Sequence, residues 1–315
     1  MVRMVRMVGM VRMVGWSGGT DRDSSIRLPR AQTKGRACQT GERRVRIGGM
    51  DTDEEIGPVR FGLVADPHVA DIPDAIGRRY RLAAGRVEAA ARALCAEGAD
   101  FLVELGDLKD AGPDEASTLA NLAAAAAALC AFPGPVHPVL GNHDVDRITK
   151  AQFLRGFADG LGLPEPPAPF GAFDVRGVRF VRLDCDFFPD GRELSNGDFN
   201  HRDCTVPPDQ VAWLRATLAA APGPCVVFCH SPLTGDWDSV VTNGAEVRAA
   251  MEEAGDVVAV FQAHTHGDAF KRINGIPYCT VPSICHDDGP YALAEAAPDG
   301  RVRVRGFHGA TSREW

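Results

Sequence analysis

From Val59 onward the chain alternates short apolar runs with longer stretches in which apolar residues recur at helical spacing. A short apolar run bounded by breakers reads as a buried strand, and a longer amphipathic stretch reads as a helix. Val59–Ala65 is thus a strand ending at Asp66, Arg79–Ala96 a helix, and Asp100–Leu105 a strand ending at Gly106-Asp107. Ala116–Ala131, with alanine at every position from 123 to 128, reads as a helix of high propensity packed closely on a sheet. Val136–Leu140 is a third strand, ending at Gly141-Asn142. This strand–helix–strand–helix–strand order predicts an α/β fold with parallel, right-handed crossovers.

The second half is richer in strands. Phe173–Val175 and Arg179–Asp184 flank Arg176-Gly177 as a hairpin, and Pro207–Ala220 is a helix. Cys225–Cys229 is a strand ending at His230, Ala245–Glu253 a helix, and Val257–Ala263 a strand ending at His264. Two more hairpins follow, Ala269–Ile273 with Pro277–Val281 and Tyr291–Ala296 with Val302–Phe307. His137, between Val136 and Pro138, is expected to be a packed or edge residue of its strand. Asp66, Asp107, Asn142, His230 and His264 each come just after the C-terminal end of an expected strand. In an α/β sheet those ends share one edge, where ligand sites gather, so residues as distant as 66 and 266 can converge.

Composition narrows what such a site can serve. The 315 residues are 45% hydrophobic and 24% charged, normal for a globular protein with a substantial core. No second hydrophobic cluster calls for another domain, so residues 56–315 are expected to form one domain behind a basic, disordered extension over 1–55. Residues 1–50 carry eleven Lys/Arg against three acidic residues, and the chain has net charge −8, so residues 51–315 carry −16. A body that acidic disfavours nucleic acid as a partner and suits bound cations. Arg3, Arg6 and Arg12 interrupt the Met-Val repeat at the start, which leaves neither a secretory signal core nor a membrane span there; Met50 stands as an alternative start. The nine cysteines are scattered with no Cys-x-x-Cys pair, which argues against a thiolate zinc site and for a reducing, cytoplasmic setting.

The chemistry sits in five clusters: Asp66-Pro67-His68, Gly106-Asp107-Leu108-Lys109-Asp110, Gly141-Asn142-His143-Asp144, His230, and His264-Thr265-His266. Two divalent cations need several oxygen and nitrogen ligands with one carboxylate able to bridge, and Asp107 on the middle strand is placed for that. Oxygen and imidazole ligands without thiolate suit Mn, Fe or Zn. A pair of ions roughly 3.5–4 Å apart clamps a phosphate and activates water for in-line attack.

These motifs resemble the calcineurin-like metallophosphoesterases over about residues 59–270. The resemblance implies a four-layer αββα sandwich of two mixed sheets flanked by helices. It places Asp66, His68, Asp107 and His266 on one metal and Asp107, Asn142, His230 and His264 on the other. His143 would face the substrate, Asp144 would orient His143, and Asp110 would stand behind the ligands. The implied activity is hydrolysis of a phosphomonoester, phosphodiester or nucleoside diphosphate-type small molecule by a metal-bound hydroxide. One departure is Ala263, where the family usually has glycine before the His-x-His pair. Arg78-Arg79-Tyr80-Arg81, Asn243–Arg248 and Gly275-Ile276-Pro277-Tyr278 further resemble the manganese-dependent ADP-ribose/CDP-alcohol diphosphatases, with Arg78, Arg79 and Arg81 gripping a second phosphate. His201 and His286 are candidates for substrate contacts. The competing reading is a metal-stabilised scaffold without catalysis, which has no use for His143.

Overall fold

The computed structural model describes residues 57–197, 202, 204–235, 240–286 and 288–315; the expectations for residues 1–55 and for His201 lie outside them. The first strands and helices alternate as β1 (Val59–Val64), α1 (Tyr80–Ala96), β2 (Phe101–Glu104), α2 (Glu115–Leu129) and β3 (Val136–Pro138). β1, β2 and β3 run parallel. The last three strands, β10 (Tyr291–Ala296), β11 (Val302–Phe307) and β12 (Arg313–Glu314), return to this sheet antiparallel and give the order β12-β11-β10-β1-β2-β3.

The second sheet holds β4 (Gly171–Val175), β5 (Val178–Arg182), β6 (Cys225–Phe228), β7 (Val257–Gln262), β8 (Ala269–Ile273) and β9 (Ile276–Thr280) in the order β4-β5-β6-β7-β9-β8. Its four inner strands are parallel and its two edges antiparallel. The two sheets face each other across Phe61, Phe101, Phe180, Phe228 and Phe261. Phe61 stacks on Phe101 at 5.4 Å and meets Phe180 edge-on at 5.3 Å. Burying each ring contributes about 1.5–3 kcal/mol, and each aromatic pair adds about 0.5–1.5 kcal/mol. Helices α1, α2 and α3 (Lys150–Leu161) cover the outer face of the first sheet, and α4 (Pro208–Ala219) and α5 (Gly244–Ala254) that of the second. The sandwich is therefore four layers, αββα, with both sheets mixed.

Two elements depart from the sequence pattern. Helix α3 was not expected, although Thr149 and Gln152 cap each other reciprocally and Gly162 closes it at φ 67°. Its apolar residues Phe153, Leu154, Phe157 and Ala158 have helical spacing, but the run is short and follows the polar stretch Asp144–Lys150. The two-residue strand β12 is too brief for any period to register. The alanine run of α2 turns one side toward α3, where Ala126 lies so close to Gly160 that a Cβ on that glycine would come within 2.4 Å. Among the described residues no helix is long and apolar enough to cross a membrane.

His137 is packed as the pattern implied. Its ring stacks on Phe173 at 3.9 Å and meets Phe101 edge-on at 5.5 Å. Burial, aided by Arg182, holds its imidazole down at about 4. The folded protein thus binds this proton less readily than the unfolded chain, whose histidine titrates near 6.5. Its contribution is complete above about pH 6.5 and is lost as pH falls toward 4. Between pH 7.5 and 5 the wild type is expected to lose about 1–2 kcal/mol more stability than His137→Phe, measured by urea unfolding. Parallel pH profiles for the two proteins would rule this out.

Candidate metal centre

The strand ends that form the site are tightly constrained. Asp66, His68, Asp107, His264 and His266 all have φ between 47° and 69°, a region non-glycine residues rarely enter. Each costs about 1–3 kcal/mol and persists only where neighbours enforce it. Those neighbours are backbone bonds between adjacent loops. Asp66 N–H donates to the Gly106 carbonyl at 3.1 Å, His68 N–H to that of Asp107 at 2.8 Å, and Ala263 N–H to that of His230 at 2.8 Å. A Cβ at Gly106 would sit 2.5 Å from His230 Nδ1, and one at Gly141 would sit 2.4 Å from the Asp107 nitrogen. Only glycine lets these loops approach. Ala263, by contrast, is fully buried and outside the left-handed region, so the missing family glycine leaves no strain.

Among the described residues four groups of ligand-type side chains have donor atoms within 4.8 Å of one another, the smaller ones including His68-Asp110-His143 and His266-Cys285-His286, and two of the four share Asp107. One comprises Asp66, His68, Asp107 and His266; the other comprises Asp107, His230 and His264. Asp107 belongs to both, and its Oδ2 lies 3.5 Å from His68 Nε2 and 3.3 Å from His230 Nε2. His68 Nε2 faces His266 Nε2 at 3.0 Å, and His230 Nε2 faces His264 Nδ1 at 3.1 Å. His230 Nδ1 donates to the Leu105 carbonyl at 2.8 Å, which leaves Nε2 as the nitrogen turned inward. Asn142 is 1% exposed, and both atoms of its amide are buried without a hydrogen-bond partner. A buried amide with no partner is costly unless something else satisfies it.

The charges are as unbalanced as the donors. Burial, then repulsion from Asp107, raises Asp66 to about 7. Burial followed by Asp107 does the same to Asp144. Burial alone would raise Asp107, but His230, His143 and His68 hold its carboxyl well below the usual range. Burial drives His68 down to about 4, and burial with His68 drives His266 down to about 2. These two rings are therefore neutral and able to donate lone pairs. His230 differs, because burial is outweighed by Asp107, which holds its imidazole well above the ordinary value. Buried carboxylates, the neutral imidazoles of His68 and His266 and an orphaned amide oxygen form a donor set that fits divalent cations and is poorly satisfied by the protein alone.

The sequence pattern of the calcineurin-like phosphoesterase family matches residues 59–268. The chain belongs to that family. Its members are metal-dependent hydrolases of phosphoric esters, and the two-sheet architecture is theirs. Among solved structures, a dimetal phosphatase from Danio rerio is similar at TM-score 0.68 and 20% identity, covering 82% of this chain and 98% of that one. The purple acid phosphatase PPD1 from yellow lupin (Lupinus luteus) seeds is similar at TM-score 0.54 and 12% identity, over 82% of this chain and 53% of that one. The protein TT1561 of Thermus thermophilus follows at TM-score 0.52 and 14% identity, over 79% and 98% of the two chains. At these identities the likeness is one of fold. No curated protein matches the chain.

Around the ligand-type residues of this phosphoesterase, three side chains make contacts other than the expected ones. Asp144 is taken up by backbone groups and not by the His143 ring. Its carboxylate accepts from the backbone N–H of Gly141 at 3.0 Å, Asp107 at 2.9 Å and Leu108 at 2.9 Å, which fixes the two loops to each other. Asp110 meets His143 instead, with Oδ1 2.6 Å from Nδ1. The cause is the 3-10 turn Asn142–Val145, in which the Asp144 side chain caps the turn's own start. His143 is thereby held raised above its ordinary value: burial opposes this, but Asp107 and Asp110 outweigh it.

Arg79 and Arg81 are the other two. Arg78 lies in the turn before α1 and Arg79 is its N-cap, so the path of that turn, not the helical period, sets which arginine turns inward. Arg78 does, with Nη1 3.1 Å from Asp110 Oδ2 and Nη2 3.5 Å from His266 Nε2. Arg79 pairs with Asp74 and Arg81 with Asp71, both at exposed positions. The stretch 243–248 also serves packing: Asn243 bonds both backbone groups of Val206, and Arg248 donates to the Leu233 carbonyl.

Three buried carboxylates stand outside the sequence expectations for the site. Glu104 closes β2, and Asp184 and Asp186 follow β5; all three are wholly buried. Burial, then Asp184, pushes Asp186 up to about 8, and His230 and Asp107 are among the charges acting on it. Glu104 lies inside its expected strand, where no strand-end signal marks it, whereas Asp186 comes two residues after the expected strand end at Asp184.

Proposed function

We propose that this phosphoesterase holds two divalent ions, manganese, iron or zinc, and hydrolyses a small-molecule phosphoester or diphosphate. The carrying observation is the shared carboxylate of Asp107, which faces both groups of ligand-type side chains at once. Asp66, His68, Asp107 and His266 would hold one ion, and Asp107, Asn142, His230 and His264 the other. Bound there, the ions supply Lewis acidity toward the phosphoryl oxygens and lower the pKa of coordinated water.

The remaining chemistry belongs to the chain. His143, with its Nδ1 on Asp110, turns its other nitrogen away from that carboxylate and is suited to hold or give a proton at the leaving oxygen. Arg78, anchored on Asp110, adds a fixed positive charge beside His266 and favours a substrate with more than one phosphate oxygen cluster to neutralise. That favours a diphosphate of the ADP-ribose or CDP-alcohol type among the substrates. The Danio rerio neighbour, described as a dimetal phosphatase, is consistent with the two-ion reading. The acidic body supports a small molecule over nucleic acid.

A panel of nitrophenyl phosphate, its bis ester, cyclic AMP and ADP-ribose, assayed with Mn²⁺, tests this reading. Turnover of ADP-ribose above the monoester is expected, and Arg78→Ala should erase that preference. No turnover of any member would turn the weight to a non-catalytic scaffold.

A further inference from the structure

We infer that His286 is a positioning residue for His266: it holds the back of that ring and fixes which nitrogen is offered to a cation. This rests on the two-ion reading above. The observation is a contact of 2.7 Å between His286 Nε2 and His266 Nδ1, with the rings crossed at 61°. His266 Nε2 points the other way, 3.6 Å from Asp66 Oδ1 and 3.0 Å from His68 Nε2.

Other rings in the site are backed by oxygen. His230 Nδ1 rests on the Leu105 carbonyl at 2.8 Å, and His68 Nδ1 lies 3.4 Å from Asp110 Oδ2. A carbonyl or carboxylate oxygen accepts and does not donate, so it favours the tautomer that places the proton on the nitrogen facing it. An imidazole nitrogen can do either. For His266 to offer a lone pair from Nε2, its proton must lie on Nδ1, and His286 Nε2 must accept it. The His286 proton then belongs on its own Nδ1.

The fold builds a seat for that arrangement. Arg86 of α1 donates from one nitrogen to three successive carbonyls, Ile284 at 3.2 Å, Cys285 at 2.9 Å and His286 at 3.3 Å. Arg79 N–H donates to the Cys285 carbonyl at 3.0 Å. The ring itself lies against Gly77, where a Cβ would come within 3.0 Å of His286 Nδ1. The turn that delivers Arg78 to the site thus also backs His286. Loop, helix and turn converge on one imidazole whose Nε2 faces His266 Nδ1.

The test uses the full chain loaded with Mn²⁺. Two variants are compared, His286→Phe, which keeps a ring without an acceptor, and His286→Gln, whose Oε1 can accept from His266 Nδ1. Binding isotherms give the dissociation constants of the two ions, and electron paramagnetic resonance distinguishes a spin-coupled manganese pair from isolated ions. His286→Phe is expected to weaken one ion by about 10–100-fold, the usual cost of losing a partner behind a ligating histidine, while the other stays at wild-type affinity. The coupled signal should give way to that of single ions, and His286→Gln should restore both. The inference is overturned if His286→Phe binds both ions as the wild type does, or if the two variants are equally weakened. A general loss of structure would instead lower the metal-free melting temperature and weaken both ions together, which also overturns it. A wild type that takes up fewer than two ions would count against the two-ion reading and not against the pairing of the rings.

Discussion

Asp107→Asn is expected to lose at least one of two metal ions and nearly all turnover while keeping its fold. Asp107 is the one residue common to both ligand-type groups, and it bears the depressed carboxyl that stays charged in the metal-free site. Asparagine matches its size, and its oxygen can still accept from the His143 backbone N–H, which Asp107 Oδ1 does at 2.8 Å. What changes is the side facing the imidazoles, where a carboxylate oxygen becomes an NH₂ donor pointing where a cation would sit. Metal ions contribute several kcal/mol to the stabilisation of transition-state charge. At 1.36 kcal/mol per decade, turnover should fall by about 10³ or more. Elemental analysis of the desalted protein should show fewer than two ions per chain. Stabilisation by Mn²⁺, about 2.7 kcal/mol at a hundredfold excess over Kd, should shrink with them. Two ions per chain in the variant would refute a bridging Asp107.

Most of this centre could be read from the chain because strand ends and chemistry coincide. Apolar runs locate β1, β2, β6 and β7 within a residue or two, and in parallel strands whatever follows them lies on one edge. That logic brings Asp66, Asp107, His230 and His264 together without knowledge of any contact. It works less well for what stands behind them. Whether Asp110 or Asp144 meets His143 depends on the rotation of one 3-10 turn, which no periodicity encodes. Which of Arg78, Arg79 and Arg81 points inward depends on the turn from 75 to 79 that leads into α1, whose path no period encodes. His286 stands out in the sequence, but as a substrate contact; its partner lies 20 residues away, on the other side of the β8–β9 hairpin. The mutual caps of α3, Thr149 and Gln152, are legible in the sequence.

The division of labour between Asp110 and Asp144 predicts the second large effect. His143→Ala should leave both metals in place and lower kcat by about 10²–10⁴, the span of a general acid–base group. Asp110 acts on the reaction partly through His143, at 2.6 Å, so Asp110→Asn should lower kcat as well. With Mn²⁺ saturating and a monoester substrate, the contacts of Asp110 to His68 and Arg78 weigh least. Under those conditions Asp110→Asn combined with His143→Ala should cost little more in kcat than His143→Ala alone, because removing the second member of a unit finds its effect already lost. Asp144 behaves differently. Asparagine there sets an NH₂ group against backbone N–H donors that the carboxylate now accepts from, which costs about 1–3 kcal/mol per unsatisfied group. Asp144→Asn should therefore lower the melting temperature and the metal content together, and its kcat deficit should add to that of His143→Ala. The measurements are kcat for the two double variants against their parents, with melting curves and metal analysis alongside. If Asp144→Asn keeps its stability and its metals yet loses kcat non-additively with His143→Ala, while Asp110→Asn is silent, then Asp144 aims the histidine after all.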